Sequence, residues 1–247
     1  MAKNDNGPFL RIVRGRGRSP VVLTCDHASD RLPDPWQWSE ADHWLAGSHW
    51  AFDLGAASLT ADLAEALGAA AVLSAFTRLL CDANRSEDDA DLFRSTAEGR
   101  PVGLNADLTA TERERRLSAW HRPYHDAIDA ACREHPGEAV LAVHTFTPMY
   151  IDQPREVEIG VLFDEEEDVA ADWAVTMTDR GLAVWLNEPY SGKEGLIYSA
   201  TRHGRAHGRR PLELEVRNDL ASDAAWRAEN VPKIAEALLE ALGGRVE

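Results

Sequence analysis

The chain has 247 residues, 44% of them hydrophobic, which excludes a disordered chain and suffices for one domain with a sizeable core. A formal net charge of −16 repels phosphate backbones, so a nuclease or any other nucleic-acid partner is not expected. Three widely spaced cysteines, Cys25, Cys81 and Cys132, exclude a disulfide framework. The absence of a signal-peptide core, or of a run of about 20 apolar residues, argues against export or a membrane span and for a cytoplasmic location.

Residues 1–20 are polar, with Arg11, Arg14, Arg16 and Arg18, and read as a surface arm over about 1–18 leading into an edge strand. The β-branched run 21–24 predicts a buried strand. Leu59, Leu63 and Leu67, spaced by four and followed by Gly68, predict a helix over 53–67. A second strand is expected over 71–74. A helix follows over 111–134, with Thr111 and Glu114 at capping-box spacing. Strands are expected over 139–143 and 159–163, and then a helix over 165–180 whose first turn is acidic, as the helix dipole favours. Further strands are expected over 182–186 and 212–216, and a last helix over 223–242 with Val231, Ile234, Leu238 and Leu242 on one stripe. Strands alternating with helices define an α/β fold, a three-layer αβα sandwich with a mostly parallel central sheet, as a single domain over 1–247. Residues 84–110 and 187–211 remain as long irregular stretches, which in a compact domain are usually functional.

Ligands of open α/β sheets bind beyond the carboxyl ends of the strands. In this chain those ends carry polar groups. Asp26, His27 and Asp30 follow the first predicted strand; Arg78, Asp82, Asn84 and Arg85 follow the second. His144 follows the third, and Asn187 and Tyr190 follow the fifth. His27 and His144 with one carboxylate make a common catalytic zinc set that leaves a fourth position open. Asp30 and Asp53 are the candidate carboxylates. Residues 212–217 alternate strictly, with Glu213, Glu215 and Arg217 on one side. Alone this reads as an edge strand with a solvated face; beside a metal, a carboxylate here is a candidate general base. Arg78 and Asn84-Arg85 offer donors for a substrate carboxylate, although arginines also pair with surface acids.

Six blocks carry a family resemblance: Cys25-Asp26-His27-Ala28-Ser29, Asp53-Leu54-Gly55-Ala56, Arg78 through Arg85, His144-Thr145-Phe146-Thr147-Pro148, Asn187 through Gly192, and Glu213 through Leu220. In this order, over about 20–220, the chain resembles N-formylglutamate amidohydrolases. The resemblance implies a fold of the zinc-carboxypeptidase and phosphorylase/hydrolase type and hydrolysis of a small anionic N-acyl amino acid, with N-formyl-L-glutamate as the reference substrate. It implies a divalent metal, expected to be zinc, on His27 and His144, with Asp53 favoured over Asp30 as third ligand. It places Glu215 as general base and Asn84 and Arg85 on the substrate carboxylate; Arg78 is the candidate donor to the developing oxyanion, and Asn187 and Tyr190 are candidate substrate contacts that also read as a simple turn. A role in histidine degradation goes with that reaction.

Three alternatives stand beside this reading: a deacylase or carboxypeptidase-like hydrolase of another N-acyl amino acid, a thiol amidohydrolase using Cys25 with His27 or His144, and a binding protein that kept the fold and lost catalysis. A monomer and a homodimer are equally compatible with the sequence.

Overall fold

The computed structural model describes residues 7–13, 19–150 and 152–243. Its main sheet has seven strands: β1 (Phe9–Val13), β2 (Val21–Cys25), β3 (Ala70–Ser74), β4 (Ala139–Phe146), β5 (Ile159–Leu162), β6 (Val184–Leu186) and β7 (Arg210–Arg217). Their spatial order is β1-β3-β2-β4-β7-β5-β6. The central four, β3, β2, β4 and β7, run parallel; β1 pairs antiparallel with β3, and β5 antiparallel with β7. The mostly parallel α/β sheet expected from the sequence is therefore present.

The expected arm is partly sheet, because Phe9–Val13 forms the edge strand itself, with Phe9 opposite Ser74 and Val13 opposite Ala70. Arg14, Arg16 and Arg18 lie outside the described residues. Residues 212–217 depart from the edge-strand expectation. They belong to β7, which sits between β4 and β5, and Glu213 and Glu215 are buried there.

Among the described residues seven α-helices surround the sheet: α1 (Ala56–Leu67), α2 (Ala110–Arg116), α3 (Arg122–Glu134), α4 (Glu167–Asp179), α5 (Tyr198–Ala206), α6 (Asn218–Ser222) and α7 (Ala224–Ala241). On one face Leu23, Leu141 and Leu214 pack with Leu59 and Leu63 of α1, Trp173 of α4 and Ile234 of α7. On the other face Val22, Val72 and Val140 pack with Tyr124 and Ile128 of α3. This alternation is the pleat of buried strands covered on both sides. Trp173 is fully buried and donates its indole N–H to the Ile234 carbonyl at 3.1 Å, tying α4 to α7. Truncating such a side chain to alanine costs about 3–5 kcal/mol.

The helix expected over 111–134 starts earlier and is interrupted. Thr109, not Thr111, caps it by accepting from the Glu112 N–H at 3.2 Å. A π turn at Leu117–His121 separates α2 from α3. Such turns cluster at functional sites because the extra residue re-aims side chains. α5 occupies part of the stretch expected to be irregular.

Topology fixes the location of the crevice. β2 runs through α1 to β3 on one side, and β3 returns through α2 and α3 to β4 on the other side of β2. α1 and α3 cover opposite faces. The connections diverge between β2 and β4, so the crevice opens at their carboxyl ends.

Candidate active site

Asp26 and His27 follow directly on β2, and His144 is near the end of β4. Asp53 comes from the turn before α1 rather than from the helix itself, because Gly55 precedes the first helical residue at φ 84°. That conformation favours glycine, and a Cβ at Gly55 would also lie 2.7 Å from the Ala221 backbone. The turn is fixed to both histidine-bearing strands. The Asp53 N–H donates to the His27 carbonyl at 2.9 Å, and the Thr145 hydroxyl donates to the Leu54 carbonyl at 2.8 Å.

His27, Asp53 and His144 are all buried, and one ligand atom from each lies within 4.8 Å of the others. Asp53 Oδ2 is 2.9 Å from His144 Nδ1 and 3.4 Å from His27 Nδ1. The two rings meet edge to face, 4.7 Å between centroids. Each imidazole has its far nitrogen on a second carboxylate: His27 Nε2 is 2.6 Å from Asp82 Oδ1, and His144 Nε2 is 3.1 Å from Asp26 Oδ2. Asp26 in turn accepts from the Tyr124 hydroxyl at 2.7 Å. Asp82 accepts from the Asn84 N–H at 2.9 Å and from Arg78 Nη2 at 2.7 Å.

The donor set fits a divalent metal. Carboxylates behind both imidazoles fix ring orientation and tautomer, as in carboxylate–histidine–zinc arrangements. With the His27 Nε2–H donated to the Asp82 carboxylate, the Nδ1 lone pair faces the cluster. Among the described residues that buried Nδ1 has no hydrogen-bond partner, only the Asp53 carboxylate 3.4 Å away, an arrangement that is unfavourable unless a ligand completes it. Asp30 is exposed and stands outside the group.

Glu213 and Glu215 enter the same cavity from β7. Glu213 Oε2 lies 3.6 Å from His144 Nε2, and both glutamates have a buried carboxylate oxygen without a hydrogen-bond partner. Burial pushes the Glu213 carboxyl up to about 7, with His144 acting in the opposite sense. Burial, reinforced by the Glu213 charge, pushes Glu215 well above the usual carboxylate range. A raised carboxyl is suited to proton transfer near neutral pH. Asp82 behaves oppositely: burial opposes its ionisation, but Arg78 and His27 hold it well below the ordinary value.

The remaining residues expected at the site divide. Arg78, Asn84, Arg85 and Tyr190 line a cavity of about 950 Å³ with the triad and the two glutamates. Arg78 is committed first to Asp82, with Asp53 Oδ1 3.5 Å from its Nη1. Asn84 uses its side chain as a pin: Nδ2 donates to the Leu196 carbonyl and Oδ1 accepts from the Ser199 N–H, both at 2.9 Å. Arg85 pairs with Asp89 at 3.5 Å and also helps to hold the Asp82 charge. Asn187 does not line the cavity. Its Oδ1 accepts from the N–H groups of Phe163 and Gly192, so it shapes the loop that carries Tyr190. Gly160 lets that loop approach, since a Cβ there would lie 1.9 Å from the Glu188 carbonyl.

Cys25 lacks the setting of a nucleophile. It is fully buried in the core beneath α1, and burial pushes its thiol up to about 12. Sequence reasoning assigned no role to Asp26, Asp82, Tyr124 or His121. Asp26 and Asp82 adjoin predicted ligands in the strand-end blocks, which was the available signal. Nothing local marks Tyr124, or His121, whose Nε2 lies 2.9 Å from the Arg85 carbonyl across the π turn.

A mostly parallel α/β sheet with a metal-competent His-Asp-His group and buried glutamates at its strand ends is the framework of a hydrolase. The chain belongs to the N-formylglutamate amidohydrolase family, whose model matches residues 19–222, and it is an amide-cleaving hydrolase. This sets aside the binding-only reading. Among solved structures it is similar to gene product Atu2144 from Agrobacterium tumefaciens, at 28% identity and TM-score 0.87, with 96% of each chain covered. It also resembles an N-formylglutamate amidohydrolase from Ralstonia eutropha JMP134, at 19% identity and TM-score 0.73, over 95% of this chain and 97% of that one. A more distant likeness is to the tripeptide-bound cell shape determinant Csd4 from Helicobacter pylori, at 12% identity and TM-score 0.53, over 96% of this chain and 55% of that one. No curated protein matches the chain. Among the described residues no helix is long and apolar enough to cross a membrane.

Proposed function

We propose that the protein is a metal-dependent amidohydrolase that cleaves a small anionic N-acyl amino acid, with N-formyl-L-glutamate, giving formate and glutamate, as the reference substrate. The observation that carries this reading is the buried His27 Nδ1, without a hydrogen-bond partner among the described residues, facing Asp53 and His144, each imidazole backed by its own carboxylate. His27, Asp53 and His144 would hold the cation, with zinc the favoured ion for two imidazoles and a carboxylate. Bound there, it supplies a Lewis acid that polarises the amide carbonyl and acidifies a water.

Glu215 takes the proton of the attacking water and returns it to the leaving amine, a cycle suited to its raised pKa. Arg85 holds the substrate carboxylate and sets the amide against the water. Arg78 faces the oxyanion with the donors that Asp82 leaves free. The reading makes residues 1–247 one amidohydrolase domain, places the protein in the cytoplasm, and fits histidine degradation as its setting. With a net charge of −16, neither nucleic acid nor membrane is a partner in it.

The test is Glu215→Gln. Turnover should fall by roughly 10²–10⁴-fold with one metal still bound per chain. Full activity in this variant would refute Glu215 as the base.

A further inference from the structure

The two walls of the cavity differ in chemistry. Arg78, Arg85 and Arg94 reach it from the segment after β3. Phe146, Met149, Tyr150 and Tyr190 reach it from β4 and from the loops after β4 and β6. In the sheet β3 lies beyond β2 on one side of the His27–His144 pair, and β6 lies at the opposite edge. The arginines thus come from the β3 side of the histidine pair, and the aromatic residues, gathered about Arg155, come from the His144 strand and its far side.

The aromatic flank is ordered around Arg155 and partly exposed, with Phe146 buried at its base. The Arg155 guanidinium carbon lies 5.3, 4.9 and 5.2 Å from the ring centroids of Phe146, Tyr150 and Tyr190. Arg155 also donates to the Tyr190 hydroxyl at 3.1 Å and to the Thr147 carbonyl at 3.2 Å, which fixes the rings around it. Yet Met149, Tyr150 and Tyr190 are 50%, 58% and 37% exposed, three of the five large hydrophobic side chains exposed among the described residues. Clustered apolar exposure on a cavity wall marks a ligand surface. The cavity, at about 950 Å³, is near the top of the range of roughly 300–1,000 Å³ that encloses drug-sized ligands. A formyl group has almost no apolar surface to lay on this wall.

We propose that the acyl group of the substrate is bulky and apolar, an aromatic or medium-chain aliphatic acyl, and packs on Phe146, Met149, Tyr150 and Tyr190. This rests on the amidohydrolase reading and departs from its reference substrate only in replacing formyl by a larger acyl group. The carboxylate is held at the basic flank by Arg85. The amino acid side chain branches from the same carbon and stays on that side, so the group across the scissile amide is the one that meets the aromatic flank.

The experiment measures kcat/KM of the zinc-loaded protein for formyl, hexanoyl and benzoyl derivatives of L-glutamate and L-alanine. The expected result is a preference of at least about tenfold for hexanoyl or benzoyl over formyl, the scale on which apolar pockets discriminate. Tyr150→Ala should reduce that ratio about tenfold, and Met149→Ala serves as a second variant if Tyr150→Ala fails to fold. A preference for formyl, with hydrolysis intact, overturns the inference and leaves the amidohydrolase reading standing. An unchanged ratio in both folded variants also overturns it. No turnover of any compound by zinc-loaded protein overturns the reading and the inference together.

Discussion

Asp82 and His27 are joined by a 2.6 Å contact from carboxylate to Nε2, while the same carboxylate anchors Arg78 at 2.7 Å through its other oxygen. One buried acid therefore sets the tautomer of a metal-competent imidazole and the position of a cavity-lining guanidinium. Asp82→Asn removes the negative charge from both. It should weaken zinc binding by about 10–100-fold, the usual effect of losing a carboxylate behind a ligating histidine. Competition with a calibrated zinc chelator measures this; unchanged affinity would show that Asp82 serves Arg78 alone.

Metal binding should release protons. Burial opposes a charge on His144, but Glu213, Asp26 and Asp53 outweigh it and hold the imidazole pKa well above 6.5 in the metal-free chain. The raised pKa favours the doubly protonated ring, whose extra proton a cation must displace. Apparent zinc affinity should therefore rise with pH, by about tenfold per unit for one linked proton. Calorimetric titration in buffers of different ionisation enthalpy counts the protons, and a count of zero at pH 7 would contradict the prediction.

Arg85 and Asn84 should separate by readout. Arg85→Ala removes a charge-assisted contact to the substrate, which is worth about 1.5–3 kcal/mol, and should raise KM about tenfold or more with little change in melting temperature. Asn84→Ala leaves the buried Ser199 N–H without its acceptor and frees the Leu196 carbonyl. It should destabilise the fold by about 1–3 kcal/mol, seen as a lower melting temperature. The reverse pattern would return Asn84 to the carboxylate clamp.

Cys25→Ala should keep turnover within about twofold, because a fully buried thiol pushed up to about 12 supplies no thiolate at neutral pH. Thiol alkylation of the folded wild-type protein should likewise leave activity intact. Loss of activity in a folded Cys25→Ala variant would revive the thiol mechanism.

The sheet and the grouping of His27, Asp53 and His144 were largely legible in the sequence because both rest on local signals. The apolar runs of β2, β3 and β4 declare buried strands, and polar residues at their ends declare the crevice. The depth of Glu213 and Glu215 was not legible, since strict alternation looks the same on an edge strand and on one flanked by β4 and β5. The cap was ambiguous for a related reason. Thr109 and Thr111 each precede a glutamate by three residues; Glu112, held by Trp36 and Arg116, marks the true first turn. The π turn is hidden because periodicity continues through it. Asn187 resembled a substrate ligand, but its acceptor was claimed by Phe163 and Gly192, a tertiary fact with no local trace.

The most direct measurement is metal removal and restoration. The protein is stripped with a chelator, the loss verified by elemental analysis, zinc returned, and amine release followed from a panel of N-acyl amino acids that includes N-formyl-L-glutamate. Activity that disappears with the metal and returns with zinc is the predicted result. Activity that persists after verified removal would contradict the account, because His27, Asp53 and His144 would then be doing something other than holding the catalytic ion.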